Sequence, residues 1–272
     1  MPKIAVIIPT YNRFRVLGHA IESVLAQDYQ DFELWIVDDA STDETANLVK
    51  KYLSARVHYV RVDCNYGVSF ARNLGVAMSQ SDWVAFLDSD DQWLPQKLSK
   101  QMEFASHHFD IQLIHGEEIW IRHGKRVNQK KIHQKFGGWI FQKCLPLCLI
   151  SPSAVIMKRE LYQQMGGFDE SFPVCEDYDL WLKITCRYEV GFISEPIIKK
   201  FGGHEDQLSQ KYKAMDYWRI KAMSRLGKNI LLSEEDLRAL KEQIKLKGEI
   251  LLNGYRKHGN LEAMEEIRVL LN

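Results

Sequence analysis

WVAFLDSDD, residues 83–91, places four apolar side chains after a tryptophan and then three carboxylates within four positions. A short continuous apolar run of this kind reads as a buried strand, and its far end carries Asp88, Asp90 and Asp91. Upstream the same grammar repeats. IAVII (4–8) is followed by a helical pattern with Phe14, Leu17, Ile21, Val24 and Leu25 on one face. FELWIVDD precedes DETANLVKKYL, which Ser41 or Thr42 can cap, and VHYVRV precedes SFARNLGVAMSQ. WVAFLDSDD itself leads into LPQKLSKQMEFASHH. Apolar strands alternating with helices predict an α/β fold whose parallel sheet is covered on both faces. Ligands of such sheets bind beyond the carboxyl ends of the strands. Three polar groups are predicted to meet there: Pro9, Thr10 and Tyr11 after the first strand, Asp38 and Asp39 after the second, and the Asp88–Asp91 cluster after the fourth.

The cluster has two readings from residues alone. It is a solvated or capping turn, or its hard oxygen ligands hold magnesium or manganese together with substrate phosphates. Composition narrows the surroundings. The 272 residues hold 36 basic and 36 acidic side chains, which gives no field for non-specific nucleic-acid binding. MPKIAVIIPTYN meets Pro9 too early for a signal segment, and CLPLCLISPSAVIM is broken by Pro146 and Pro152 and too short to span a bilayer. Five cysteines without a CxxC pair read as buried, reduced thiols, and a cytoplasmic location is expected.

From residue 111 the pattern changes. IQLIHGEEIWIR followed by HGK predicts an antiparallel hairpin, a less regular segment runs to SPSAVIMKRE, and a helix is expected from Glu176 to Arg187. VGFISEPIIKK supplies the last strand. Beyond a boundary near 210 the chain reads as helix, with Gly259 and Asn260 at a turn. Residues 1–210 are therefore expected to form the main domain and 211–272 a helical extension that caps it or makes a homodimer contact. KYKAMDYWRIKAMSRLGK (211–228) is basic and amphipathic. It either packs Tyr212, Met215, Trp218 and Met223 against the main domain or lies on an anionic membrane.

VIIPTYNR, SVLAQDYQDFELWIVDDASTDET, NYGVSFARNLGVAMS, FLDSDD, GGFDE, EDYDLWLK and GGHEDQLS stand in this order over residues 3–210. Together they resemble the family 2 glycosyltransferases. The resemblance implies a GT-A fold with a central, mostly parallel sheet, and inverting transfer of a sugar from a nucleoside diphosphate to a hydroxyl acceptor, a glycan or lipid-linked one. It also implies a role for each matching residue. Pro9, Thr10 and Tyr11 would line the nucleoside pocket, with Asp38 and Asp39 beside the base and Asp39 on the uracil N3–H of a uridine donor. Arg72 would contact the nucleotide. Asp88, Ser89 and Asp90 would form the DxD, with Asp90 the main ligand of Mn2+ or Mg2+, Asp88 near the ribose and Asp91 supporting the site. His204 would close over metal or phosphate. Asp177, with Glu176 beside it, would be the general base, and Asp169 would be structural.

Three other readings are weaker. A sugar nucleotidyltransferase would want a glycine-rich loop where PTYNRFRV stands, and a processive synthase would want QxxRW and membrane spans. A non-catalytic nucleotide-binding protein would not need Asp88, Asp90, Glu176 and Asp177 together. An enzyme working on a lipid-linked acceptor would sit at the inner face of a membrane.

Overall fold

The computed structural model describes residues 1–203, 212 and 214–271. Its centre is strand β1 (Ile4–Thr10), buried at every position. The reason is visible in the alternation of its side chains. Ile4, Val6 and Ile8 pack into one core with Leu17 and Ile21 of helix α1 (Phe14–Leu25). Ala5 and Ile7 pack into the other with Ala71 and Val76. β1 pairs in parallel with β2 (Phe32–Asp38) on one side and β4 (Trp83–Phe86) on the other, and β3 (Val57–Arg61) lies outside β2. The chain thus leaves β1 in both directions, which opens the crevice past its carboxyl end. Helix α3 (Val68–Met78) comes very close to β1 at Gly75, where a Cβ would stand 2.6 Å from the Ile7 side chain.

Beyond β4 the sheet becomes mixed. β8 (Ile156–Lys158) joins β4 antiparallel and continues to β6 (Leu113–Arg122), which runs parallel to β9 (Gly191–Gly202). β5 (Gln92–Trp93) closes the far edge on β9. The expected hairpin is present, with β7 (Lys125–Val127) pairing the end of β6. Parallel character is thus concentrated in the β3–β2–β1–β4 half that carries the three polar groups. The remaining helices of this region are α2 (Thr45–Val49), α4 (Lys97–His107), α5 (Phe141–Cys144), α6 (Arg159–Gln164) and α7 (Glu176–Thr185).

Two expectations are corrected. The helix of DETANLVKKYL is only the short α2, and neither Ser41 nor Thr42 caps it; Asp43 accepts from the Thr45 N–H instead. Ser41 and Thr42 are engaged elsewhere, since Ser41 Oγ accepts from Asn12 N and Thr42 N donates to Asn12 Oδ1. Cys64 is exposed and Cys148 and Cys186 are only partly covered, rather than buried, while none of the five cysteines is in a disulfide. The tail forms α8 (Met215–Asn229), α9 (Glu234–Lys257) and α10 (Leu261–Leu271). Ile220, Met223 and Leu226 of α8, Leu240 and Leu251 of α9 and Ile267 of α10 belong to the same core as Phe172, Tyr178 and Trp181. The apolar side of α8 is therefore turned inward, and Arg225 ties it to the GGFDE segment through Asp169 at 2.8 Å. Among the described residues no helix is long and apolar enough to cross a membrane.

Candidate functional site

Asp88–Asp91 form a turn closed by the Asp91 N–H on the Asp88 carbonyl at 3.0 Å. Within it the carboxylates differ in freedom. Asp91 is buried and both oxygens are taken, Oδ2 by Ser153 Oγ at 2.6 Å and Oδ1 by the Phe201 N–H at 2.9 Å. Burial, with Asp90 and Asp88 alongside, pushes its carboxyl well above the usual range. Asp91 thus fastens the turn to β9. Ser89 is buried in the same turn. Asp90 lines a cavity of about 270 Å3 together with His19, Gln92, His123 and Phe201. Asp88 is a third exposed, and its Oδ1 accepts from Arg72 Nη2 at 2.7 Å.

Arg72 is the hub. It is 3% exposed, its guanidinium lies 4.9 Å from the Phe168 ring centre, and it bonds Asp88 with one nitrogen and Glu176 with the other, the latter at 2.6 Å. A planar fork reaches two carboxylates at once in a way an ammonium cannot. Glu176 opens α7 behind Cys175, which adopts a left-handed conformation at φ 63°. Left-handed backbone away from glycine costs about 1–3 kcal/mol and gathers at functional sites. Asn12 after β1 and Ala40 after β2 are left-handed as well. Burial pushes the Glu176 carboxyl up, Arg72 pulls it back, and Asp177 adds to the rise. Asp177 is half-buried; its Oδ1 accepts from the Tyr178 N–H at 2.7 Å and its Oδ2 from the Cys148 thiol at 3.4 Å.

On the other side of the crevice, Asp39 accepts from the N–H groups of Tyr66 and Gly67 at 2.8 and 2.7 Å. Gly67 has φ 97°, which lets the backbone turn both N–H groups toward one carboxylate. Burial pushes Asp39 up, and these two donors oppose the rise. Asp38 is fully buried and holds its own loop, accepting from Ser41 N and Tyr59 Oη. Thr10 is buried with an unpartnered hydroxyl, and Arg72 Nε is likewise unpartnered. Pro9 is buried within β1, and Tyr11 is 45% exposed at the rim. His204 lies outside the described residues.

Sequence reasoning missed a strap, CLISPS (148–153), that threads between the two halves. Cys148 bonds Asp177, Ser151 Oγ accepts from Lys200 Nζ at 2.6 Å, and Ser153 Oγ holds Asp91 while accepting from the Asp88 N–H at 3.1 Å. Although burial pulls the Lys200 ammonium down, Glu118, Asp91, Asp88 and Asp177 together carry it above its ordinary value. Below it, Glu118 is paired with Lys135 at 2.9 Å. The only signal of this strap was two serines around Pro152 inside an apolar run.

Among the described residues no three His, Cys, Asp or Glu side chains gather into a metal cage. Asp88 and Asp90 still fit magnesium or manganese, which bind through one or two carboxylates and take their other oxygens from phosphate and water. Buried Thr10 and Arg72, each with a spare donor, fit a phosphorylated ligand next to them.

Comparison with known proteins supplies the family. The profile described as glycosyl transferase family 2 matches residues 5–166. An uncharacterized glycosyltransferase of Rickettsia bellii is 33% identical over 204 residues, 72% of this chain but only 28% of that protein. The chain thus spans under a third of that relative's length. The Escherichia coli UDP-Glc:alpha-D-GlcNAc-diphosphoundecaprenol beta-1,3-glucosyltransferase WfaP is 31% identical over 192 residues, 69% of this chain and 72% of the relative. Among solved structures, S. aureus TarS 1-349 in complex with UDP-GlcNAc shares the fold with a TM-score of 0.72 at 21% identity, covering 93% of this chain and 73% of that one. The chain belongs to glycosyl transferase family 2.

Proposed function

We propose that the protein is an inverting, metal-dependent glycosyltransferase that moves a sugar from a uridine diphosphate sugar to a hydroxyl of a lipid-linked glycan precursor. Residues 1–210 act as the catalytic domain, and the tail helices α8, α9 and α10 buttress it. One observation carries this reading: a single buried guanidinium, Arg72, spans Asp88 of the metal turn and Glu176 at the start of the helix that carries Asp177. An in-line displacement needs its leaving group and its base on opposite sides of one reacting carbon, and this bridge fixes the spacing between the two sides. The relative acting on a diphosphoundecaprenol acceptor supports the choice of donor and acceptor class.

Asp177 takes the proton of the acceptor hydroxyl as that oxygen bonds the anomeric carbon and the carbon–oxygen bond to the diphosphate breaks. Half-burial and the Cys148 thiol keep its carboxylate aimed. Glu176 holds Arg72 and, through it, Asp88. Asp39 and Thr10 receive the nucleoside. Asp90 and Asp88 would hold the divalent ion, Mn2+ or Mg2+, which when bound offsets the negative charge gathering on the diphosphate.

Calorimetry and turnover test the assignment together. Uridine diphosphate should bind with manganese, lose affinity in chelator, and bind poorly to Asp90→Ala under both conditions. Asp177→Asn should keep nucleotide affinity and lose transfer by about a hundredfold or more. Equal affinity with and without the ion would remove the metal from Asp90. A fully active Asp177→Asn beside a dead Glu176→Gln would move the base one residue earlier.

A further inference from the structure

The stretch between Glu118 and Glu160 holds nine lysines and arginines and no acidic residue, in a chain that as a whole carries 36 of each sign. Five of the nine have work inside the fold. Arg122, Lys143 and Lys158 lie over aromatic rings, Lys135 is paired with Glu118, and Arg159 bonds the Val76 carbonyl at the end of α3. The remaining four, Lys125, Arg126, Lys130 and Lys131, are exposed, and none of them makes an ion pair with a described residue. Two large apolar side chains stand out of the same segment: Ile132 is 60% exposed and Trp139 is 64% exposed. The segment is not loose chain. Gly138 exchanges both backbone hydrogen bonds with Val190, Gln129 donates to the Glu118 carbonyl, and the His133 ring lies 4.9 Å from that of Trp120.

We propose that the strip from Lys125 to Trp139 is the face by which this protein rests on an anionic lipid surface. Four cations without an ion pair among the described residues supply the attraction to acidic headgroups. A tryptophan and an isoleucine supply the apolar anchors that settle at the boundary of headgroups and acyl chains. Nucleic acid fits the strip less well, because a single exposed ring offers no run of stacking platforms. The location suits an acceptor delivered from a membrane. The hairpin that begins the strip puts His123 and Gly124 on the wall of the cavity that Asp90 also lines. A lipid-linked phosphate held at the headgroup level would thus stand beside the donor turn. The proposal deepens the reading of a lipid-linked acceptor and rests on it. It also moves any membrane contact away from α8, whose apolar side is buried in the core.

The test is co-sedimentation of the full chain with vesicles of phosphatidylglycerol and phosphatidylcholine, against phosphatidylcholine alone, across a salt series. The parent should bind only the anionic vesicles, and more weakly as salt rises. Reversing Lys125, Arg126, Lys130 and Lys131 to Glu should cut binding at least tenfold. Trp139→Ala should lower it at every salt concentration. Reversing two exposed lysines of α9, Lys241→Glu with Lys245→Glu, should leave it near the parent value. No binding to anionic vesicles, equal loss in the α9 control, or tighter binding to a single-stranded oligonucleotide than to vesicles would each overturn the proposal. Hydrolysis of the uridine diphosphate sugar is read in parallel. A parent that binds vesicles but never cleaves the donor overturns the catalytic reading and leaves the lipid contact standing. A charge-reversed chain that still cleaves the donor but no longer sediments shows that the strip serves the membrane alone.

Discussion

At the scale of the residue, the sequence announces charges but not their partners. Asp88, Asp90, Glu176 and Asp177 could be singled out because a buried strand and a helix start each deliver paired carboxylates to one point. Arg72 could be singled out only through the family resemblance, as a nucleotide contact; that it joins Asp88 to Glu176 could not be read, because it stands 104 positions from Glu176 and no local pattern spans that distance. His115 was equally silent, yet it carries a clear titration. It is fully buried, Nε2 bonds the Phe136 carbonyl at 2.8 Å, and Nδ1 has no partner. Burial, with Lys135 nearby, pulls its pKa down from 6.5 to about 4. A group whose folded value is depressed gives its stability above the unfolded pKa and loses it as pH falls toward the folded one. His115 by itself should therefore take away about 3 kcal/mol between pH 6.5 and 4, at roughly 1.4 kcal/mol per pH unit, while Glu176, whose carboxyl burial pushes up to about 7, acts in the opposite sense over the same window. Urea midpoints of the parent should drop relative to those of His115→Gln, whose amide can still donate to Phe136, progressively as pH falls across that window. A difference between parent and variant that does not change with pH would show that His115 is not held neutral.

At the scale of the element, periodic segments were legible and the aperiodic one was not. β1, β2 and β4 could be read from apolar runs and the β6–β7 hairpin from alternation, since each pattern follows from burial on one or both faces. The strap 148–153 has no period, because it is held by side chains rather than by a ladder. Its contribution rests on Ser153, which is fully buried and serves two backbone-distant groups of the Asp88–Asp91 turn. Ser153→Ala leaves Asp91 buried with the Phe201 N–H as its remaining hydrogen bond, a loss of about 1–3 kcal/mol. The turn that carries Asp88 and Asp90 should loosen with it, so the KM for the donor should rise severalfold while the acceptor KM holds. Thermal melting beside initial rates separates the two effects. A destabilised variant with an unchanged donor KM would make the strap packing alone.

At the scale of the molecule, α8, α9 and α10 share one core with the region that holds Asp177. The helical character of the tail was plain from its sequence, but its docking face was not, because a basic amphipathic helix serves a lipid surface and a protein core equally well. Phe172, Trp218 and Arg225 decide it, through the Trp218 ring 5.9 Å from that of Phe172 and the ion pair to Asp169. Met223 is fully buried in that seam. Met223→Ala should cost about 2–5 kcal/mol and lower the whole melting transition. Calorimetry that shows an early, separate transition for the tail, with the remainder melting as in the parent, would mean that the helices are an independent unit.

The links that build the site also decide when it exists. Asp91 waits for Phe201, 110 positions on, and Arg72 for Glu176. Such long loop closures are the slow steps of folding. A chain still emerging from the ribosome can pair β1 with β2 and β4 long before it owns β9. During that time it carries the carboxylates of the Asp88–Asp91 turn without Asp91's fastening to β9, and without Glu176 or Asp177 until they too emerge. A chain grown only just past β4 therefore holds the Asp88–Asp91 turn without its anchor, and the arrangement around Arg72 and Asp91 is complete only once α7 and β9 have emerged.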